Sequence, residues 1–143
     1  MHSSELVTLA RSWIGTPYHN MAAVKGRGVD CIGLIRGLWI EIHGTVPEVP
    51  HYTPRWSARN KGEETLLNAA RQYLTEVPAN TRGPGIVLGF RIHPKGIAQH
   101  CGIMTTMTEM VHSHSGREVY EVALGERWES KVVAAFRFPG VED

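Results

Sequence analysis

Residues 26–44, GRGVDCIGLIRGLWIEIHG, place a cysteine directly after an aspartate, where a glycine-containing loop changes into an apolar, helix-like run. Asp30 belongs to the residue types that cap helix N termini, and Gly44 to those that end helices. Apolar side chains continue, at helical spacing, the stripe that Cys31 begins: Ile35, Leu38 and Ile42. The stretch therefore predicts a helix over 31–43 whose first residue is Cys31.

Gly33 and Gly37 lie one turn apart on a neighbouring face of this helix. A glycine inside a helix costs roughly 1 kcal/mol of stability relative to alanine. Two glycines at this spacing indicate that another part of the backbone packs closely against the helix.

The segments that flank this helix predict an α+β domain. Ser3 or Ser4 can cap a first helix that ends near Gly15, and a third helix is predicted over 63–77. Beyond residue 85 the apolar period changes to two, in five short segments typical of strands: 86–92, 97–104, 109–114, 118–124 and 132–138. Because helices come first and strands follow, we expect one domain, 1–143, with N-terminal helices packed on a mostly antiparallel sheet.

Residues 45–61 contain three prolines and predict an irregular loop between the second and third helices. Loops of this length in compact domains often carry function. Tyr52 and Trp56 in this loop are expected to pack onto the core, and the rim of a cleft is the alternative position.

The composition argues against several classes of protein. The 143-residue chain has a net charge of +1 and no block of Lys or Arg, so we expect no nucleic-acid partner. No apolar run reaches the length of a membrane span, and the N terminus lacks the plan of a signal peptide, so we expect synthesis in the cytoplasm. Two cysteines are too few for a disulfide framework, although a single Cys31–Cys101 bridge remains open.

Cys31 itself has two interpretations. At the first turn of a helix, unpaired N–H groups and the helix dipole favour the nucleophilic thiolate, and the same N–H groups could hold an oxyanion. The alternative is a small buried apolar residue, which is how most free cysteines behave. A catalytic cysteine also needs a base, so the interpretation depends on the strands that follow.

Two strand segments, 97–104 and 109–114, supply histidines for that role. If these segments form a hairpin centred near Thr106, residues whose numbers sum to 212 lie opposite each other, and His100 faces His112. The pattern then predicts His100 as the base and His112 as the residue that orients it. The alternative is that both histidines are satisfied by local hydrogen bonds on a half-exposed sheet.

Small residues share the strand face of these histidines. Ala98 and Gly102 alternate with His100 along the segment, and they would leave room for the N terminus of the second helix. Cys101 takes the opposite face. We therefore expect Cys31 to approach the histidine face of the sheet and to meet His100 there.

The chain resembles the NlpC/P60 cysteine peptidases, papain-like cell-wall hydrolases, through four motifs: ARSWIGTPY, VDCIGLIRGLW, QHCGIM and the terminal AAFRFPG. The resemblance implies a papain-like NlpC-type fold, with five or six strands and the catalytic cysteine at a helix N terminus. It matches Asp30-Cys31 to the family's aspartate-cysteine pair, and His100 and His112 to its base and orienting residue. Tyr18 matches a tyrosine that shapes the site.

One departure, Ile32 in place of the family's usual serine, resembles the branch found in phage tails and gene-transfer agents. The resemblance then implies an enzyme that cuts peptidoglycan stem peptides at the γ-D-glutamyl–diaminopimelate bond, with no metal or organic cofactor. It further implies tail hub or tip proteins as partners, and a place in the virion with action in the periplasm or wall. Arg27, Lys25 and Arg36 are candidates to bind the free glutamate carboxylate, and solvation is their alternative role.

Rival functions remain open. The His112–His114 pair invites a zinc peptidase, but the chain has only two aspartates and no His-Glu-x-x-His motif. A non-catalytic tail or wall-binding module could keep the fold without the activity. An N-acetylmuramoyl-L-alanine amidase or an acyltransferase would keep the cysteine chemistry and change the bond or the acceptor.

Overall fold

The computed structural model describes residues 1–49 and 63–143. The helices are α1 (Ser3–Arg11), α2 (Cys31–His43), α3 (Thr65–Tyr73) and α4 (Gly125–Glu129). The strands are β1 (Ala23–Val24), β2 (Gly28–Val29), β3 (Thr75–Val77), β4 (Val87–Phe90), β5 (His100–Met104), β6 (Glu109–His112), β7 (Tyr120–Ala123) and β8 (Val132–Arg137). Tyr52 and Trp56 lie outside the described residues.

The main sheet has six strands in the order β3-β8-β4-β5-β6-β7, and every neighbouring pair is antiparallel. Side chains alternate between its two faces. One face packs against α1, α2 and α3 through residues such as Cys101 and Ile103, and the other carries Met104, Met110 and the residues that flank and form α4. The five predicted strands are all present, and the predicted α+β architecture is confirmed.

The third helix is shorter than predicted. It ends at Tyr73, and Leu74 already has an extended backbone. Thr75 to Val77 form β3, which pairs with β8. The prediction of a helix to residue 77 is wrong because β3 satisfies the outer hydrogen-bonding edge of β8, a contact between residues distant in sequence.

The first helix also begins differently. The N-cap is His2, whose Nδ1 atom accepts a hydrogen bond from the backbone N–H of Ser4 at 3.0 Å. Ser3 is the first helical residue, and its N–H donates to the carbonyl of Glu142 at 2.6 Å. The predicted serine cap is therefore wrong, because pairing with the C-terminal segment fixes Ser3 inside the helix.

The second helix follows its sequence signals. Asp30 caps it, and Gly44 ends it with a positive φ of 74°. A Cβ atom on Gly33 would lie 1.9 Å from the carbonyl oxygen of Ala22, and one on Gly37 would lie 2.4 Å from the ring of Trp13. The expected close approach of backbone is confirmed at Gly33, whereas the neighbour of Gly37 is a side chain.

Two findings bear on the alternatives raised by the sequence. Cys31 and Cys101 are both free thiols, so no bridge joins them in this structure. Across residues 1–49 and 63–143, no helix is long and apolar enough to cross a bilayer.

We predict that Gly33→Ala destabilises the protein, although alanine favours helices by about 1 kcal/mol. The added methyl group collides with a backbone carbonyl, so the loop must shift, and we expect a net loss of about 2 kcal/mol in the free energy of unfolding. Urea denaturation measures the change. Gly96→Ala, where the nearest atom is 3.4 Å away, is the control. Stabilisation by Gly33→Ala would contradict the close approach.

Candidate active site

The candidate site is built around the buried carboxylate of Asp30, which is 2% exposed. Its Oδ1 atom accepts a hydrogen bond from the N–H of Gly33 at 2.6 Å, and Oδ2 accepts one from the N–H of Met21 at 2.7 Å. The N–H of Asp30 donates to the carbonyl of Ala22 at 3.3 Å. These bonds fix the start of α2 against the loop that precedes it, so the predicted helix cap is confirmed.

Cys31 is the first residue of α2 and is half-buried. Its thiol donates to the carbonyl of Gln99 at 3.8 Å, so the sulfur lies against the peptide that joins Gln99 to His100.

The backbone N–H groups of the first helical turn have no acceptor within the helix. Asp30 accepts the hydrogen bonds of two of them, those of Gly33 and Leu34. The N–H groups of Cys31 and Ile32 are therefore the ones placed to hold negative charge next to the sulfur.

Cys101 lies beside Cys31 and not beside the histidines. Its thiol donates to the Cys31 carbonyl at 3.2 Å. A hydrogen bond with Cys31 and burial both raise the pKa of the Cys101 thiol well above its ordinary value. Cys101 therefore stays protonated and is a poor nucleophile.

His100 and His112 form a buried pair. Nε2 of His100 and Nδ1 of His112 are 2.8 Å apart, and the two residues are 6% and 0% exposed. Burial lowers the pKa of His100 well below 6.5 and that of His112 to about 4, and neighbouring histidines add to both shifts. Both rings are therefore neutral near pH 7, and His100 can accept a proton.

The hairpin that brings these histidines together has a different register from the predicted one. Ile103 pairs with Val111 and Met104 with Met110, so paired numbers sum to 214 and not 212. The turn is longer because the Thr106 hydroxyl accepts hydrogen bonds from the N–H groups that follow it.

In this register His112 lies opposite Gly102. A Cβ atom on Gly102 would be 3.1 Å from Cβ of His112, and its absence lets the His112 ring reach His100 diagonally. The predicted proximity of the two histidines is therefore confirmed, although the register that led to it is wrong.

The helix approaches the other face of the sheet. Leu34 and Leu38 of α2 pack in the same cluster as Cys101 and Ile103, whereas the alternation of β5 places His100 on the opposite face. The expectation that α2 would sit on the histidine face is wrong.

Cys31 and His100 therefore lie near each other, but no hydrogen bond joins their side chains. The structure shows no hydrogen bond between the Cys31 thiol and the His100 ring, since the thiol is engaged by the Gln99 carbonyl. His112 occupies Nε2 of His100, so Nδ1 is the ring nitrogen that a thiol would have to reach. The catalytic roles of Cys31, His100 and His112 stay predictions.

Tyr18 lies beside the start of α2, and its role in shaping the site stays a prediction. Its backbone forms a bridge with Val29, next to Asp30. Burial raises the pKa of its hydroxyl to about 12, and the nearby Asp30 and Cys31 add to the shift. Tyr18 therefore remains a protonated hydrogen-bond donor beside the start of α2.

The three predicted cations have different surroundings. Arg27 is exposed in the turn between β1 and β2. The Lys25 ammonium binds the Glu41 carboxylate at 2.8 Å, which leaves it a poor candidate for a substrate carboxylate. Arg36 lines an apolar cavity, and its Nε atom is buried without a hydrogen-bond partner among residues 1–49 and 63–143.

A second wall of the site was missed by the sequence analysis. The Trp128 ring of α4 lies with its centroid 5.4 Å from that of His100, and His114 lies 5.7 Å from it. Both residues line a cleft of about 310 Å³. The i, i+4 spacing of Leu124 and Trp128 was the available signal for α4, but a segment this short has weak helical periodicity.

The structure also bears on the zinc alternative. His112 and His114 have ring centroids 5.8 Å apart, and His112 Nδ1 already faces His100. Among the described residues no group of three or more His, Cys, Asp or Glu is arranged to hold a metal ion.

The buried histidine pair predicts a pH effect on stability. An unfolded histidine has a pKa near 6.5, whereas that of folded His112 is about 4. As pH falls through this window the unfolded chain binds a proton that the folded chain does not, so stability is lost. We expect the wild type to lose roughly 2 kcal/mol more than His112→Gln between pH 7 and pH 4.5, measured by urea denaturation. His93→Gln, at an exposed histidine, should follow the wild type. Equal losses in wild type and His112→Gln would contradict the buried neutral pair.

Comparison with known proteins establishes the fold. No family model and no curated protein matches the chain. The NlpC/p60 domain of the peptidoglycan hydrolase SagA matches with a TM-score of 0.65 at 19% identity, over 96% of this chain and 100% of that one. An NlpC/P60 family protein from Bacillus cereus matches with 0.65 at 20% identity, over 95% and 40%. NlpC2 from Trichomonas vaginalis matches with 0.61 at 18% identity, over 95% and 46%. The chain spans less than half of the latter two proteins. It has the papain-like α+β fold of NlpC/P60 domains.

Proposed function

We propose that this protein is a cysteine peptidase that cuts the stem peptides of peptidoglycan. The observation that carries the proposal is the position of the Cys31 thiol, at an Asp30-capped helix N terminus and against the peptide that precedes His100. The buried His100–His112 pair supplies a neutral base with an orienting partner. The shared fold with a domain described as part of a peptidoglycan hydrolase supports the choice of substrate.

In the proposed mechanism the resting site is neutral. The Cys31 thiol turns from the Gln99 carbonyl toward Nδ1 of His100, which takes its proton as the sulfur attacks the scissile carbonyl. The C–S bond forms while the Cys31 N–H and the protonated Tyr18 hydroxyl hold the oxyanion. His100 then returns the proton to the departing amine as the C–N bond breaks, and water hydrolyses the acyl-enzyme. The mechanism requires no metal or organic cofactor.

The proposed bond is the one between γ-D-glutamate and diaminopimelate. A γ-linkage leaves the glutamate α-carboxylate free, and Arg27 is the candidate to bind it because it is exposed close to the start of α2. A phage-like particle would carry the enzyme to the wall and open it for DNA entry, with tail hub or tip proteins as partners. This part of the proposal comes from the resemblance of VDCIGLIRGLW to tail peptidases.

A non-catalytic wall-binding module is the second candidate. The observation that favours it is the absence of a hydrogen bond between Cys31 and His100 among the described contacts. Catalytic hydrogen bonds are often formed only in the complex with substrate, so activity measurements decide between the two candidates.

We predict that Cys31→Ala abolishes release of stem peptides from purified walls, whereas Cys101→Ala retains most of the activity. The reason is that the Cys101 thiol is buried and faces the Cys31 carbonyl rather than the histidines. Circular dichroism checks that both variants fold. Chelators should leave the rate unchanged. Loss of activity on chelation, with Cys31→Ala still active, would favour the zinc mechanism.

The products identify the bond. Mass spectrometry of walls digested from a diaminopimelate-containing bacterium should show intact glycan strands and fragments that begin with diaminopimelate. Cleavage at the lactyl–alanine amide would reassign the protein as an amidase. Cleavage of ordinary α-linked L-peptides alone would remove the wall-specific function.

A further inference from the structure

Cys101 is a buried thiol that the proposed mechanism does not use. It is the second residue of β5, and it is 4% exposed. Its sulfur lies 3.2 Å from the carbonyl oxygen of Cys31, to which it donates a hydrogen bond. The fold therefore places a second sulfur next to the proposed nucleophile.

The contacts between α2 and β5 run in both directions. The Cys31 thiol, on α2, donates to the carbonyl of Gln99, just before β5, at 3.8 Å. The Cys101 thiol, on β5, points back to the first residue of α2. The two side chains also contact each other, since a hydrogen bond with the Cys31 side chain is the largest cause that raises the pKa of the Cys101 thiol. Both sulfurs consequently lie in the gap between the helix N terminus and the strand.

The surroundings leave the Cys101 side chain room to move. Cys101 and Ile32 both line an apolar cavity of about 70 Å³ between α2, α3 and the sheet. Rotation of a cysteine side chain moves a single heavy atom, its sulfur. The Cys101 sulfur can therefore turn away from the Cys31 carbonyl without displacing a large packed neighbour.

The two thiols differ in their access to reagents. Cys31 is half-buried, so a small oxidant from solvent can reach its sulfur, whereas Cys101 is closed off from solvent. The helix N terminus favours negative charge at the Cys31 sulfur, and the thiolate is the form that reacts with hydroperoxides. We therefore expect oxidation to begin at Cys31.

We propose that Cys31 and Cys101 form a redox-sensitive pair, in which a hydroperoxide oxidises Cys31 and Cys101 then converts the product into a reversible disulfide. The inference goes beyond the proposed function, because it needs the two thiols and no substrate. The disulfide removes the free thiol of Cys31 and protects this residue from irreversible oxidation.

The two steps balance with hydrogen peroxide as the oxidant. In the first step the Cys31 sulfur attacks a peroxide oxygen, the O–O bond breaks, and Cys31 becomes a sulfenic acid as water leaves. In the second step the Cys101 sulfur attacks the Cys31 sulfur, so that the S–S bond forms and the S–O bond breaks. The sulfenic oxygen leaves as water and takes the Cys101 proton. The two thiols are thereby oxidised, and the peroxide is reduced to water.

Proximity makes the second step possible for a thiol that is otherwise a poor nucleophile. Burial keeps Cys101 protonated, so it reacts slowly with molecules from solution. A group held in contact with its target reacts at a high effective concentration, which offsets this weakness.

The test treats the full chain with hydrogen peroxide and follows both thiols by mass spectrometry. Catalase removes the peroxide, free thiols are alkylated, and peptides are mapped without reduction, which also separates thiol oxidation from methionine oxidation. We expect the wild type to yield the Cys31 peptide joined to the Cys101 peptide. The yield should not depend on protein concentration, because the bond forms within one molecule. Dithiothreitol should restore both thiols.

Cys101→Ala is the decisive variant. Without a second thiol, the sulfenic acid at Cys31 is oxidised further. At the same peroxide dose we expect at least about tenfold more sulfinic and sulfonic acid at Cys31 than in the wild type, and dithiothreitol should not reverse it. The matched control is Cys31→Ala, in which Cys101 should remain a free thiol. If Cys101→Ala does not fold, Cys101→Ser replaces it, because serine keeps a donor for the Cys31 carbonyl.

Several results would overturn the redox pair. These are sulfinic acid at Cys31 of the wild type without a cross-link, a disulfide between molecules only, and equal oxidation of Cys31 in wild type and Cys101→Ala. Oxidation of Cys101 in Cys31→Ala would also overturn it, because Cys101 would then react without Cys31.

Release of stem peptides by the reduced wild type tests the peptidase function separately. If the disulfide forms but reduced protein releases no stem peptides, the redox pair stands and the peptidase function fails. Release of stem peptides by a protein that never forms the disulfide would leave the peptidase and remove the redox pair.

Discussion

The Asp30 carboxylate is the interaction on which the candidate site depends. Its two oxygens bind the N–H of Gly33 in α2 and the N–H of Met21 in the preceding loop. Met21 has a φ of 61°, a left-handed conformation that costs a residue other than glycine of order 1 kcal/mol. The buried carboxylate offsets this cost and thereby fixes the loop, Tyr18 and the orientation of Cys31 with respect to the sheet.

At the start of β5, neighbouring backbone and side-chain groups contact the thiol and the histidine pair separately. The carbonyl of Gln99, just before β5, accepts a hydrogen bond from the Cys31 thiol. The side chain of His100, the first residue of β5, contacts His112 instead. This division keeps the Cys31 thiol and the His100 ring apart in the structure. Burial keeps both histidines neutral, so in the proposed mechanism proton transfer to His100 accompanies the arrival of substrate.

The sequence predicts those features that are local. The cap at Asp30 and the end at Gly44 define α2 because each signal lies within a turn of the residue it affects. Period-two segments likewise identify the strands from β4 to β8. Their hydrophobic alternation also places Cys101 and His100 on opposite faces, which the structure bears out.

Features that depend on distant contacts were not predictable in this way. The β5–β6 register follows from side-chain hydrogen bonds of Thr106 within the turn, and β3 exists because β8 has an edge to pair. The face on which α2 docks depends on the whole apolar cluster around Leu34, and no local pattern encodes it. The cleft beside Trp128 requires α4, a helix too short for its period to stand out.

The most direct measurement of the central claim is capture of the acyl-enzyme. Acid quenching during hydrolysis of the tripeptide L-Ala-γ-D-Glu-meso-diaminopimelate, followed by peptide mapping with mass spectrometry, should find L-Ala-γ-D-Glu as a thioester on the peptide that contains Cys31. His100→Ala should lose this adduct while its fold is kept. Hydrolysis without any adduct on Cys31, at a rate that His100→Ala leaves unchanged, would contradict the account.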